Sequence, residues 1–360
     1  MTQRSKKISL SDLPTVIGLD VGDRKTAACV LAGEKKHSFE FATDREALRK
    51  ALRPWPGVRV VLEAGSQSHW IYWELVDLGF DACVVNPRAI KHITLDHRKT
   101  DRRDAEKLAE LASLSYVKES ILPRIFHRAA QEQADLSIIR ARDGVVSMRT
   151  QAIQQCRSLV KVFGVTLPES STKAFARKVL DLVPRTLHPA LMPLLELIQT
   201  LSDTIRGYEK QLEQIASERY PEAERLRQIP GIGPLTSIAF LLSIGDPARF
   251  QDSRSVGSWI GLTPKSQASG DRDPDLPISK MGDPYLRRLL VQCAHSLLSR
   301  GKDCDLKRFG QRMLARDDGR GRRRKTIVAM ARKLAVLMHT LLISGRAFDP
   351  DYQATRSAAA

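Results

Sequence analysis

The stretch TVIGLDVGDRKTAACVLA, Thr15–Ala32, decides the fold of the first third of the chain. Thr15–Asp20 and Thr26–Ala32 are short, apolar or β-branched runs, and the polar turn VGDRK between them predicts a β-hairpin. Further on, Val58–Glu63 (VRVVLE) and Ala82–Val85 (ACVV) read as buried strands, and His69–Leu78 and Arg102–Leu114 read as helices. This alternation predicts an α/β domain over residues 1–125.

The pattern then changes. Leu194, Ile198, Leu201, Ile205, Tyr208, Leu212 and Ile215 alternate steps of four and three, an a/d heptad seam. Upstream, Ile139, Val146, Ile153 and Val160 recur every seven residues, but the matching d positions are mostly polar. Residues 126–222 therefore read as two long helices forming a coiled coil, within the chain or between chains, with the expectation that the Leu194–Ile215 seam joins subunits. Residues 223–345 read as a mainly helical C-terminal domain and 346–360 as a tail.

The chain has 360 residues and a formal net charge of +17, a surplus that points to a polyanion such as nucleic acid. Five scattered cysteines, with no Cys-x-x-Cys pair, suggest neither a disulfide framework nor a zinc site and fit a reduced, cytoplasmic setting. No apolar segment follows the basic start MTQRSKKISL. The apolar stretch Ala335–Ile343 is short for a bilayer span and holds His339 and Thr340, so no membrane partner is expected.

Four carboxylates stand out. Asp20 and Glu63 close strands, and Asp101 and Asp104 in KTDRRDA share one face of a helix start. Converging carboxylates repel unless cations neutralise them, and hard oxygen ligands suit Mg²⁺ or Mn²⁺. Taken singly, Asp20 fits a turn residue, and Asp101 and Asp104 fit a helix cap and first turn. Arg98, Lys99, Arg102 and Arg103 surround the pair, as expected where phosphates approach.

A second group lies towards the end. In PGIGPLTS, Gly231 and Gly233 open a tight turn before an apolar helix, a helix-hairpin-helix-like element able to hold a phosphate. GLTPKSQASG and ISKMGDPYLRRLL follow, placing loop serines near Lys265, Lys280, Arg287 and Arg288. Such a serine suits nucleophilic attack on phosphate, and by chemistry alone Ser266, Ser269 and Ser279 are equivalent candidates. The basic run containing Arg322, Arg323, Arg324 and Lys325 adds a further nucleic-acid contact.

IGLDVGDRK, VVLEAGSQSHW, VVNPRAIK and RKTDRRDAEKLAEL, followed by IPGIGPLTS, SWIGLTP, SG and ISKMGDPYLRRLL, occur in this order through nearly the whole chain. In this combination the chain resembles the DEDD-type transposases of the IS-one-ten and IS-eleven-eleven insertion sequences, regarded as bridge-RNA-guided recombinases. The resemblance implies a RuvC-like, RNase H-type N-terminal domain in which Asp20, Glu63, Asp101 and Asp104 are the metal-site acids. It implies that Ser269 is the nucleophile, through a covalent phosphoserine, in the C-terminal transposase domain. It also implies donor and target DNA, an element-encoded bridge RNA, and homo-oligomers, a dimer or a tetramer on DNA, in which the acids of one subunit meet the serine of another. The setting implied is the bacterial cytoplasm, at the nucleoid. The other readings are a metal-dependent Holliday-junction-type nuclease, which needs the acids and no serine, and a non-catalytic RNA- or DNA-binding protein.

Overall fold

The structure, a computed structural model, describes residues 13–87, 100–167, 175, 179, 182–265, 276–316, 319 and 321–352. It divides into two compact units, Met1–His127 and Arg128–Ala360.

The first unit is built on a five-stranded mixed sheet. Its strands are β1 (Val16–Val21), β2 (Lys25–Ala32), β3 (Lys35–Ala42), β4 (Arg59–Glu63) and β5 (Asp81–Val85), in the order β3-β2-β1-β4-β5. The predicted hairpin is β1 antiparallel to β2, with Asp20 opposite Ala27. β4 lies parallel to both β1 and β5. Strand β3 was not foreseen; it follows β2 through the two-residue turn Gly33-Glu34, where Gly33 takes φ +60°, as tight hairpins require. Helices α1 (Arg45–Leu52) and α2 (Ser68–Asp77) cover one face, and α3 (Asp101–Leu114) covers the other. The central strands are thus buried on both faces, which is why VRVVLE reads as an unbroken apolar run.

The second unit is helical. Helices α4 (Ala130–Lys161) and α5 (His188–Arg219) run antiparallel, with Ile139 and Leu212 in one cluster and Ile153 and Ile198 in another. The expected seam is corrected here. Ile198, Ile205, Leu212 and Ile215 are buried within this chain, and the stripe continues through Leu191, Leu195, Ser202 and Ala216 rather than Leu194 and Leu201. The apolar positions are therefore filled by α4 of the same chain and are not a free edge for another subunit. Midway, the polar d positions of α4 meet α5: Arg142 Nη2 donates to Glu209 Oε1 at 2.8 Å, and Arg149 Nη1 to Ser202 Oγ at 3.4 Å.

The remaining helices are α6 (Glu222–Arg227), α7 (Pro234–Ile244), α8 (Ser255–Trp259), α9 (Pro284–Arg300), α10 (Asp305–Arg316) and α11 (Arg322–Ser344). They enclose a core that includes Phe240, Ile260, Leu290, Met330, Leu334 and Met338. Helix α11 is longer than the apolar stretch read from the sequence, and its length and composition match a membrane span. Its burial is that of a core helix: Met330, Ala331, Leu334, Ala335 and Met338 face the interior while Arg332 and Lys333 are exposed.

Candidate functional site

The carboxylates are placed by the sheet and α3. Parallel pairing of β1 with β4 ends at Leu19–Leu62, so Asp20 and Glu63 stand one residue beyond it on neighbouring strands. Val16 and Val61 belong to the core beneath α3, and side chains alternate along a strand, so Asp20 and Glu63 also lie on the α3 face. Helix α3 runs opposite to β4: Arg59, which opens β4, donates from Nη1 to Oγ of Ser115 at the far end of α3, at 2.7 Å. The start of α3 therefore lies at the strand ends that carry Asp20 and Glu63. Thr100 caps that start, its Oγ1 accepting from the Arg103 N–H at 3.4 Å, and Asp101 and Asp104 fill the first turn.

Asp20 and Glu63 thus lie on the α3 side at the carboxyl ends of β1 and β4, and the first turn of α3, with Asp101 and Asp104, lies at the same end. Asp101 and Glu63 are exposed, whereas Asp20 and Asp104 are half-buried. Asp104 lies 3.5 Å from Nζ of Lys107, a partner not singled out from the sequence although its i, i+3 spacing was visible. Among the described residues no group of three or more His, Cys, Asp or Glu stands close enough to hold one ion. An all-carboxylate donor set suits a hard divalent cation in kind. Arg102 and Arg103 are exposed on the same turn; Arg98 and Lys99 lie outside the described residues.

In the second unit, two glycines let backbone cross backbone. Gly261 has φ +78°, and an added Cβ there would come within 2.0 Å of the Met281 carbonyl oxygen. Gly282 has φ +89°, and its Cβ would meet the Trp259 carbonyl oxygen at the same distance. This crossing explains the motifs GLTP and ISKMGDP. It continues as a bridge between Pro264 and Ile278, with Lys265 N–H donating to the Pro277 carbonyl at 3.1 Å. Ser266 and Ser269 belong to the chain held between these anchors and lie outside the described residues. Ser279 is half-buried, and its backbone N–H donates to the Thr263 carbonyl at 2.8 Å. Lys280 is exposed and, unusually for a non-glycine, has φ 55°. Asp283 caps α9, accepting from Tyr285 N–H at 2.8 Å.

The structure gives two of the predicted cations partners within the chain. Arg287 Nη1 donates to the Ile260 carbonyl at 2.9 Å, and Arg288 pairs with Asp143 of α4. By contrast Arg322, Arg323 and Arg324 line a cleft of about 520 Å³ with His295, and with Lys325 they crowd the first turn of α11. A helix start already carries positive partial charge, so cations gathered there favour an anionic partner. The α6–turn–α7 segment contains Gly231, at φ +90°, and Gly233, which caps α7 and has open space around it.

Comparison with known proteins places the chain in a family. Residues 17–164, which hold all four acids, match a DEDD family model described as "Transposase". Residues 223–310, which span the serine segment, match the "Transposase IS116/IS110/IS902 family". The transposase for insertion sequence element IS1111A of Coxiella burnetii is 30% identical over 94% of this chain and 92% of its own. A probable family 20 transposase of Pseudomonas aeruginosa is 30% identical over 71% of this chain and 75% of its own. The transposase for insertion sequence element IS1328 of Yersinia enterocolitica is 28% identical over 79% of this chain and 84% of its own. With likeness at that level through nearly its whole length, the chain belongs to the IS110 family of DNA transposases.

Proposed function

We propose that this transposase cuts and rejoins DNA strands through a phosphoserine at Ser269, with Asp20, Glu63, Asp101 and Asp104 holding divalent cation, Mg²⁺ or Mn²⁺. The observation that carries the reading is that Asp20 and Glu63 end neighbouring strands on the side covered by α3, whose first turn carries Asp101 and Asp104. In the first step the Ser269 hydroxyl oxygen bonds to phosphorus, the bond from phosphorus to the leaving deoxyribose oxygen breaks, and the serine proton ends on that oxygen. Rejoining reverses these changes with an incoming deoxyribose hydroxyl. A cation held by the acids would polarise phosphate oxygens. The acids bind and orient it, while Arg102 and Arg103 attract the DNA backbone.

The sheet order β3-β2-β1-β4-β5, in which β2 alone runs against the other four strands, supports a RuvC-like, RNase H-type first unit. The glycine turn before α7 supports a helix-hairpin-helix-like contact with phosphate. The net charge of +17 supports nucleic-acid partners in general. Guidance by an element-encoded RNA pairing with donor and target DNA, oligomers on DNA, and residence at the nucleoid rest on the family resemblance.

The experiment is strand cleavage of donor DNA by the purified protein with its RNA, Mg²⁺ and single acid-to-alanine variants. Each variant should lose cleavage while still binding DNA, and Mn²⁺ binding followed by electron paramagnetic resonance should weaken. Full cleavage by Asp101→Ala, or by wild type in excess chelator, overturns the metal reading.

A further inference from the structure

Within the helical unit lies a groove of about 1010 Å³, as large as the bigger small-molecule sites, roughly 300–1,000 Å³. Its floor is apolar and includes Leu262, Ile278, Val328 and Leu337. Its rim is cationic: Arg254, Arg324, Lys325, Arg332, Lys333 and Arg346 line it against two acids, Asp305 and Asp349. One of those acids is already engaged, since Asp305 pairs with Arg308 at 3.1 Å. Three aromatic rings, Phe309, Phe348 and Tyr352, complete the lining. The Lys333 ammonium stands 4.3 Å from the centre of the Phe309 ring, and Tyr352 is 49% exposed, within reach of a ligand.

These features select one kind of occupant. An apolar floor with rings gives a free phosphate nothing, and a rim of cations gives an uncharged ligand nothing. A duplex presents its phosphates outwards and keeps its base faces stacked inside. An unpaired strand offers both at once, base faces for the rings and phosphates for the rim. The groove is also lined by Pro264 and Ile278, the pair that anchors the Ser269-bearing chain. The strand that a transposase cuts is DNA, so the unpaired strand proposed for the groove is DNA.

We propose that this groove binds an unpaired segment of DNA, bases stacked on Tyr352 and Phe348 and phosphates held by Arg324, Arg332 and Arg346. The proposal rests on the reading of the protein as a DNA strand-cutting enzyme, but it is tested by binding alone.

The test is fluorescence anisotropy of the full chain with a labelled single-stranded oligodeoxythymidine, a duplex of equal length, and an RNA of the same sequence. Tyr352→Ala should weaken single-strand DNA binding by about 5- to 150-fold, the worth of one stacked base, with duplex binding unchanged. Tyr352→Phe should restore it. Arg346→Ala should make the single-strand affinity less dependent on salt. Phe348 packs against the core, so its alanine variant is read only beside a melting curve, whereas Tyr352 gives an answer without that difficulty. Equal losses for single strand and duplex, or no loss in Tyr352→Ala, overturn the proposal. A loss confined to RNA would assign the groove to RNA and overturn the DNA assignment. Selective single-strand binding in a protein that never cleaves DNA would uphold the groove and refute the cleavage reading.

Discussion

Gly18 of β1 lies so close to Ala105 of α3 that a Cβ added at Gly18 would come within 2.2 Å of the Ala105 carbonyl oxygen. The backbone N–H nitrogen of Ala109 would stand at 2.3 Å from the same Cβ. Both obstacles are backbone and cannot swing aside. This contact sets how deeply α3 sits on the sheet, two residues from Asp20 and one helical turn from Asp101.

Gly18→Val should therefore displace α3. Overpacking of this kind costs about 1–3 kcal/mol, read as a lower denaturation midpoint. Cleavage should fall further than folding does, because the two acid pairs separate. Gly65→Ala is the control, since open space surrounds that position. Equal stability of Gly18→Val and wild type would show that α3 is not pressed on β1.

Gly261→Ala and Gly282→Ala each place a methyl group into a carbonyl oxygen at a positive φ. Each should destabilise by more than about 1 kcal/mol. A partly folded protein should lose cleavage before DNA binding, because the crossing anchors the segment that carries Ser269. Melting curves alongside cleavage assays check this, and wild-type behaviour in both would remove the crossing from the account.

Glu74 is buried on α2, and Arg49 and Arg45 of α1 both bond to its carboxylate. Burial alone would raise its pKa, but the two guanidinium groups outweigh it and hold the carboxyl below its ordinary value. A lowered pKa in the folded state contributes stability that is complete above the unfolded value, about 4.3, and is lost as pH falls through the folded value. Glu74→Gln should flatten the acid limb of the stability profile below about pH 5. An unchanged acid limb would show that the pair adds nothing.

Arg149 is nearly buried between α4 and α5, its Nε has no hydrogen-bond partner, and burial lowers its pKa. Replacing a poorly satisfied buried charge by an apolar side chain of similar length is commonly neutral or stabilising. Arg149→Met should raise stability by about 1 kcal/mol in thermal denaturation. A loss of that size would mean that the guanidinium is better paired than its geometry suggests.

The sheet was legible because β1, β2, β4 and β5 are short apolar runs closed by turn residues. Strand β3, KKHSFEFA, was missed because it is exposed at the sheet edge and carries charge where a core strand carries valine. That Asp20 and Glu63 close two strands was legible because each follows a short apolar run, and Glu63 is exposed there, so no burial cost marks it. Their common edge was not, because it depends on Gly18 admitting α3 and on α3 running against β4. The polar d positions on the first of the two long helices, Arg142 and Arg149, did not turn the reading away from a coiled coil, and the a/d spacing of the second could not say that its partner lay in the same chain. Arg287 and Arg288 were read as phosphate contacts because the sequence reveals neither the Ile260 carbonyl nor Asp143 beside them.

The central claim is that a serine of this chain becomes covalently joined to DNA. The direct measurement is to trap the protein on a nicked DNA substrate, digest it, and locate the modified residue by mass spectrometry. The account predicts a phosphodiester on Ser269, absent in Ser269→Ala and in Asp101→Ala, with RNA and DNA binding retained in both. Wild-type cleavage with no protein–DNA adduct, or an adduct on Ser266 or Ser279, would contradict it.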